Sequence, residues 1–117
     1  MASIGIQSIH CYSFNLPLAH SFFMGGQEIK KREGFIVHVI SDYGDMGFGE
    51  ISPLPGVSSE PLAKAVHQAD VLVRELKSAQ VPLALPMLLK WFSDRLPESL
   101  FCPSVRFGFE SAIMSML

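Results

Sequence analysis

Charge is scarce in this chain: Asp, Glu, Lys and Arg make up 17% of its 117 residues, against about 25% in an ordinary soluble domain. The net charge of -2 exerts no long-range pull on phosphate backbones or anionic lipid. Lys30, Lys31 and Arg32 form only one short basic run, so neither nucleic acid nor a membrane is expected as a partner. Cysteine is limited to Cys11 and Cys102. With no CxxC and no second ligand-spaced pair, neither a thiolate zinc site nor a disulfide framework is indicated, and two buried free thiols are expected. No apolar run approaches the roughly 20 residues of a membrane span, and Met1-Ala2-Ser3-Ile4 has neither the basic start nor the apolar stretch of a secretory signal. A cytoplasmic protein is expected.

What is abundant is apolar surface, at 49% of residues, in a chain of one-domain length. Strand patterns fill the first half and helix patterns the second, which predicts an α+β domain: a three-stranded antiparallel meander over about 4–51, then a helical bundle over about 59–117. From Ile4 to Leu16, His10, Tyr12, Phe14 and Leu16 alternate with Ile9, Cys11 and Ser13, and Pro17 is expected to end the ladder for want of an N–H. Leu18 to Glu33 has no clean period and contains Gly25-Gly26, so a long loop is predicted there. Phe35 to Ile40 is apolar at nearly every position and reads as a strand covered on both faces. The turn-forming Ser41-Asp42-Tyr43-Gly44-Asp45 returns the chain into a third strand, Met46 to Ile51.

Ser52-Pro53-Leu54-Pro55-Gly56 supports neither sheet nor helix, because two prolines lack donors, and reads as a second ordered loop. Ser58 or Ser59 is the expected cap of a helix that tolerates Pro61 in its first turn. Its stripe is Leu62, Ala65, Val66, Ala69, Leu72, Val73 and Leu76. Pro82 and Pro86 precede a helix near Met87 to Leu96, with Leu88, Leu89, Phe92 and Leu96 buried. A third helix begins near Pro103-Ser104 and carries Val105, Phe109, Ala112, Ile113, Met116 and Leu117, and the sequence then stops without a helix-ending signal.

Chemistry-bearing motifs are thin. Glu50 lies in a strand with no second carboxylate placed to split pKa values, which favours a structural hydrogen bond over acid catalysis. Asp42, Asp45 and Glu50 lack the ligand spacing of a calcium loop. His10, His20, His38 and His67 lack metal spacing and read as surface or hydrogen-bonded residues. Gly47-Phe48-Gly49 misses the third glycine and the following helix of a dinucleotide fingerprint, and no lysine of a phosphate loop follows Gly25-Gly26. Arg106 and Glu110 are spaced to pair across one helical turn.

Three segments, in order, carry a resemblance: Gly47-Phe48-Gly49-Glu50-Ile51-Ser52-Pro53-Leu54-Pro55-Gly56, the acidic helix start Ser58-Ser59-Glu60, and Pro103-Ser104-Val105-Arg106-Phe107-Gly108-Phe109-Glu110-Ser111-Ala112. Together they resemble the enolase superfamily in its muconate-lactonizing branch, and the last segment is most similar to the o-succinylbenzoate synthase family. The resemblance implies an N-terminal cap domain cut off before a (β/α) barrel, which needs roughly 200 further residues. It also implies that the catalytic lysines, the metal-binding carboxylates and Mg²⁺ belong to that barrel, so no catalytic or metal residue is assigned here and no cofactor is expected for this segment alone. The partners implied are the barrel itself and a small-molecule carboxylate.

By the same resemblance two loops close over the barrel mouth and bind substrate: Ser21, Phe22, Phe23, Met24 and Gly25, flanked by His20 and Gly26, and Pro53, Leu54, Pro55 and Gly56 after Ser52. Phe22-Phe23-Met24 is equally readable as an anchor packing the loop onto its own domain. Dipeptide epimerases, N-acylamino acid racemases and muconate cycloisomerases share such a cap. A self-associating interaction module, paired through the barrel-facing surface, is the reading from another class.

Overall fold

The sheet is built by two long strands that take up about a third of the chain. In this computed structural model, which describes residues 2–54 and 60–117, the elements are β1 (Ser3–Met24), β2 (Gln27–Ser41), β3 (Met46–Ile51), α1 (Leu62–Leu76), β4 (Gln80–Pro82), α2 (Leu85–Arg95) and α3 (Pro103–Met116). All pairings are antiparallel and the order is β3-β2-β1-β4. The expected meander and α+β class are present, with a short fourth strand beyond the three read from the sequence. Its three residues pair Ser3 with Pro82, Ile4 with Val81 and Gly5 with Gln80, a run too short to leave a periodic signal.

The principal departure is the segment expected to be a loop over 18–33, which is a hairpin. Met24 pairs with Gln27, and Gly25 and Gly26 form the two-residue connection with φ of 59° and 78°. Positive φ at both central positions is the type I′ geometry, whose twist matches that of the flanking strands, and glycine adopts it without steric cost. Pro17 does not end the ladder either: it pairs with Lys31, and the register slips afterwards, between Pro17 and Phe22. A second slip, between Ile6 and Ser8, changes which parity faces inward, so that Ile6 and Ile9 are both buried.

One face of the sheet meets the helices. Phe35, Val37 and Val39 of β2 and Ile51 of β3 are buried there, against Leu72 and Leu76 of α1 and Val105, Phe109 and Ile113 of α3. The opposite face of β2, with Ile36, His38 and Ile40, is only half-buried, so this strand is not covered on both sides. His38 stacks on Phe48 with ring centroids 4.3 Å apart, and its buried Nε2 has no hydrogen-bond partner among the described residues.

All three helices open with proline at or next to the first turn and in none does the N-cap residue's own side chain cap the helix, an arrangement that uses the preset φ of proline. Pro61 occupies the α1 cap position, in place of the expected Ser58 or Ser59, which lie outside the described residues. Glu60, 8% exposed, instead accepts hydrogen bonds from the Ser104 amide (3.3 Å) and hydroxyl (2.7 Å). Its carboxylate thus sits at the positive end of α3 and ties the starts of α1 and α3 together. Of the predicted stripes, Val66, Leu89 and Leu117 are exposed, at 43%, 58% and 44%. Arg106 gives its short bond, 3.0 Å, to the Leu96 carbonyl, and lies 4.0 Å from Glu110. Cys102 is buried as expected, but Cys11 is exposed.

Helix α3 lies unusually close to β3 because glycines face each other. A Cβ on Gly49 would strike the Gly108 carbonyl, one on Gly47 the Ala112 carbonyl, and one on Gly108 the Ile51 side chain. Ser115 completes the contact by accepting the Phe48 amide at 2.9 Å. Two of the three segments that carry the family resemblance thus meet in one packed interface, through Gly47, Gly49 and Ile51 on one side and Gly108 and Ala112 on the other.

Candidate functional site

Beyond Phe35, β2 runs on towards Gln27 with no β3 neighbour, since Ile51 is the last β3 residue in the ladder. The hairpin of β1 and β2 thus overhangs the sheet by about 20 Å at the typical strand rise, at the same end from which Ser52-Pro53-Leu54 departs. This brings both segments singled out in the sequence to one end of the domain.

At the hairpin tip Phe23 is 75% exposed, and Phe22 and Met24 are 37% and 38% exposed. Phe23 is accordingly not an anchor packed onto its own domain. Ser21 donates to Glu28 across the two strands at 2.9 Å, while Gly25 supplies half of the turn. In the second segment Pro53 is buried and Leu54 half-buried; Pro55 and Gly56 lie outside the described residues. A shallow groove lined by Phe14, Asn15, Glu33, Leu62 and Val66 runs beside the hairpin stem.

The residue that sequence reasoning missed is Arg32. Its guanidinium donates to the Ser52 hydroxyl at 2.9 Å and to the Ser52 carbonyl at 3.3 Å, and the same hydroxyl donates to Glu50. Glu50 thus has a structural hydrogen bond, in keeping with its expected role. A basic run on a strand edge is usually solvated, and only the folded register places Arg32 next to Ser52. Among the described residues, no three His, Cys, Asp or Glu side chains form a group able to hold a metal ion, and no helix is long and apolar enough to cross a membrane.

Residues 6–116 match the family model described as MenC, N-terminal domain. An o-succinylbenzoate synthase from Pasteurella multocida (strain Pm70) is 31% identical over 111 residues, covering 95% of this chain and 30% of the relative. Among solved structures, a mandelate racemase/muconate lactonizing protein from Herpetosiphon aurantiacus is 28% identical with a TM-score of 0.72, over 96% of this chain and 29% of that one. An o-succinylbenzoate synthase from Thermosynechococcus elongatus BP-1, complexed with Mg in its active site, is 27% identical with a TM-score of 0.63, over 92% and 29%. The chain spans less than a third of the length of these relatives. Matched along nearly its whole length, the chain belongs to the MenC N-terminal domain family, the cap of o-succinylbenzoate synthase-like proteins in the enolase superfamily.

Proposed function

We propose that this chain is the lid and specificity domain of a Mg²⁺-dependent o-succinylbenzoate synthase, a lyase that removes water from a cyclohexadiene carboxylate in cytoplasmic menaquinone synthesis. The observation that carries the reading is the family match over residues 6–116, supported by two lid segments leaving the same end of the sheet. In this reading the Mg²⁺ and the proton-transferring groups belong to a barrel that the relatives possess, and the cap closes over it. Closure excludes water and strengthens the electrostatics of the covered site. Exposed Phe23, with Phe22 and Met24 beside it, offers an apolar surface to a ring-bearing substrate.

The test is a Mg²⁺-dependent assay of o-succinylbenzoate formation by the full-length protein that carries this segment. Phe23→Ala is expected to lower kcat/KM by about tenfold or more, the scale on which truncated apolar contacts discriminate substrates. Retention of kcat/KM within twofold in both Phe22→Ala and Phe23→Ala would remove the lid assignment. Faster racemisation of an N-acylamino acid, or epimerisation of a dipeptide, would move the protein to another part of the branch.

A partner surface is part of the same proposal. Phe107 and Met114, 66% and 49% exposed, lie seven residues apart on the outer side of α3, with Leu100 at 66% before the helix. An apolar strip of this kind suits burial against a barrel or, in a chain without one, against a second copy.

A further inference from the structure

We propose that Arg32 is a positioning residue that couples the two lid segments, holding Ser52-Pro53-Leu54 against the hairpin stem through the Ser52 hydroxyl. The lid role of those segments rests on the function proposed above; the coupling itself rests on geometry.

The β2–β3 ladder pairs Phe35 with Ile51 and could be continued only through Gly34 and Ser52, then Glu33 and Pro53. Pro53 has no N–H, so the ladder loses a donor at that step. The half-buried Arg32 side chain reaches across at this point and donates to both the carbonyl and the hydroxyl of Ser52, at 3.3 and 2.9 Å. One terminal guanidinium nitrogen thus continues the join between strands where the backbone cannot. The single Ser52 hydroxyl proton goes to Glu50, leaving its lone pairs to the guanidinium, so one serine bridges a cation and an anion.

Gly34 makes the approach possible. A Cβ there would collide with the Ile51 carbonyl and come within 2.8 Å of Ser52 Cβ and 3.0 Å of the Phe14 ring. Glycine at 34 therefore brings Ser52 close to β2, and Arg32, two residues further along β2, fastens it. Because Arg32 also lies in the hairpin ladder, opposite Leu16, a displacement of the hairpin is transmitted to Ser52 and on to Leu54. The two lids then move together, and a ligand ordering one pays part of the cost of ordering the other.

Leucine at position 32 removes both donated bonds, whereas lysine keeps the charge and a donor nitrogen on a more flexible stem. The decisive measurement is the ¹⁵N order parameter of the Ser52 and Leu54 amides in the 117-residue chain, with Val37 and Val39 as core references. In Arg32→Leu and in Ser52→Ala the values at 52 and 54 are expected to fall from about 0.85 to below about 0.6, with the references unchanged. Unchanged values at Ser52 and Leu54, or an equal fall at Val37 and Val39, would overturn the proposal.

In the full-length enzyme, Arg32→Leu is expected to raise KM about tenfold, the worth of a charge-assisted hydrogen bond, with kcat within threefold and partial rescue by Arg32→Lys. An unchanged KM in an active enzyme overturns the positioning role. Since the order parameters need no substrate, a full-length protein without synthase activity removes the assigned reaction and leaves the coupling to be decided by them.

Discussion

Cys11 illustrates how position within one strand sets the chemistry of a single side chain. It stands opposite Val37, and its thiol pKa is pushed up from 9.0 to about 11, first by partial desolvation and then by the Asp70 carboxylate. The thiolate is the reactive form, so alkylation by iodoacetamide is expected to be slow at pH 8.5, with a pH–rate midpoint near 11. Asp70→Asn should move that midpoint downward. Stability follows the same sign: the raised native pKa favours the neutral thiol, so this contribution is fully present below pH 9 and is lost as pH rises through about 11. Urea unfolding of Cys11→Ser and the parent chain across that window provides the check. A midpoint near 9 would show that neither burial nor Asp70 acts on the thiol.

Contacts between elements explain why small residues appear where they do. The glycines at 47, 49 and 108 carry no chemistry, and as a dinucleotide motif Gly47-Phe48-Gly49 fails; their use is to let α3 rest against β3. Gly49→Ala would drive a methyl group into the Gly108 carbonyl, which is backbone and yields little, so a loss of about 1–3 kcal/mol is expected in denaturant unfolding. A loss below about 0.5 kcal/mol would mean that helix and strand separate freely. Strand β3 was legible in the sequence to the residue, since turn chemistry flanks it on one side and proline on the other. The hairpin was not, because slips in register after Ile6 and Pro17 erase the alternation on which strand reading depends. The Gly25-Gly26 pair carried the signal of a two-residue turn, but without alternating flanks it read as loop. Leu89 was misplaced for a related reason: helical spacing defines a stripe, and only the packing of α2 decides its width.

For the molecule as a whole, the question is what covers the exposed apolar surface. Phe107, Met114 and Leu100 lie outside the core, so the 117-residue chain alone is expected to self-associate with rising concentration in sedimentation velocity, and Phe107→Glu with Met114→Glu to reduce that association. A sedimentation coefficient independent of concentration over a hundredfold range would count against this surface as a partner face. The sequence by itself determined the α+β class, the order of strands before helices, the third strand, the core stripe of α1 and the family, because these depend on local periodicity, on breakers and on short ordered motifs. The tertiary structure alone decided that the presumed loop is a hairpin, that β4 joins the sheet beside β1, that Glu60 caps α3 and that Arg32 reaches Ser52. The hairpin is local but its register slips hide the alternation; the other three join residues distant along the chain, and pattern within a window carries no information about which distant group will supply a missing donor.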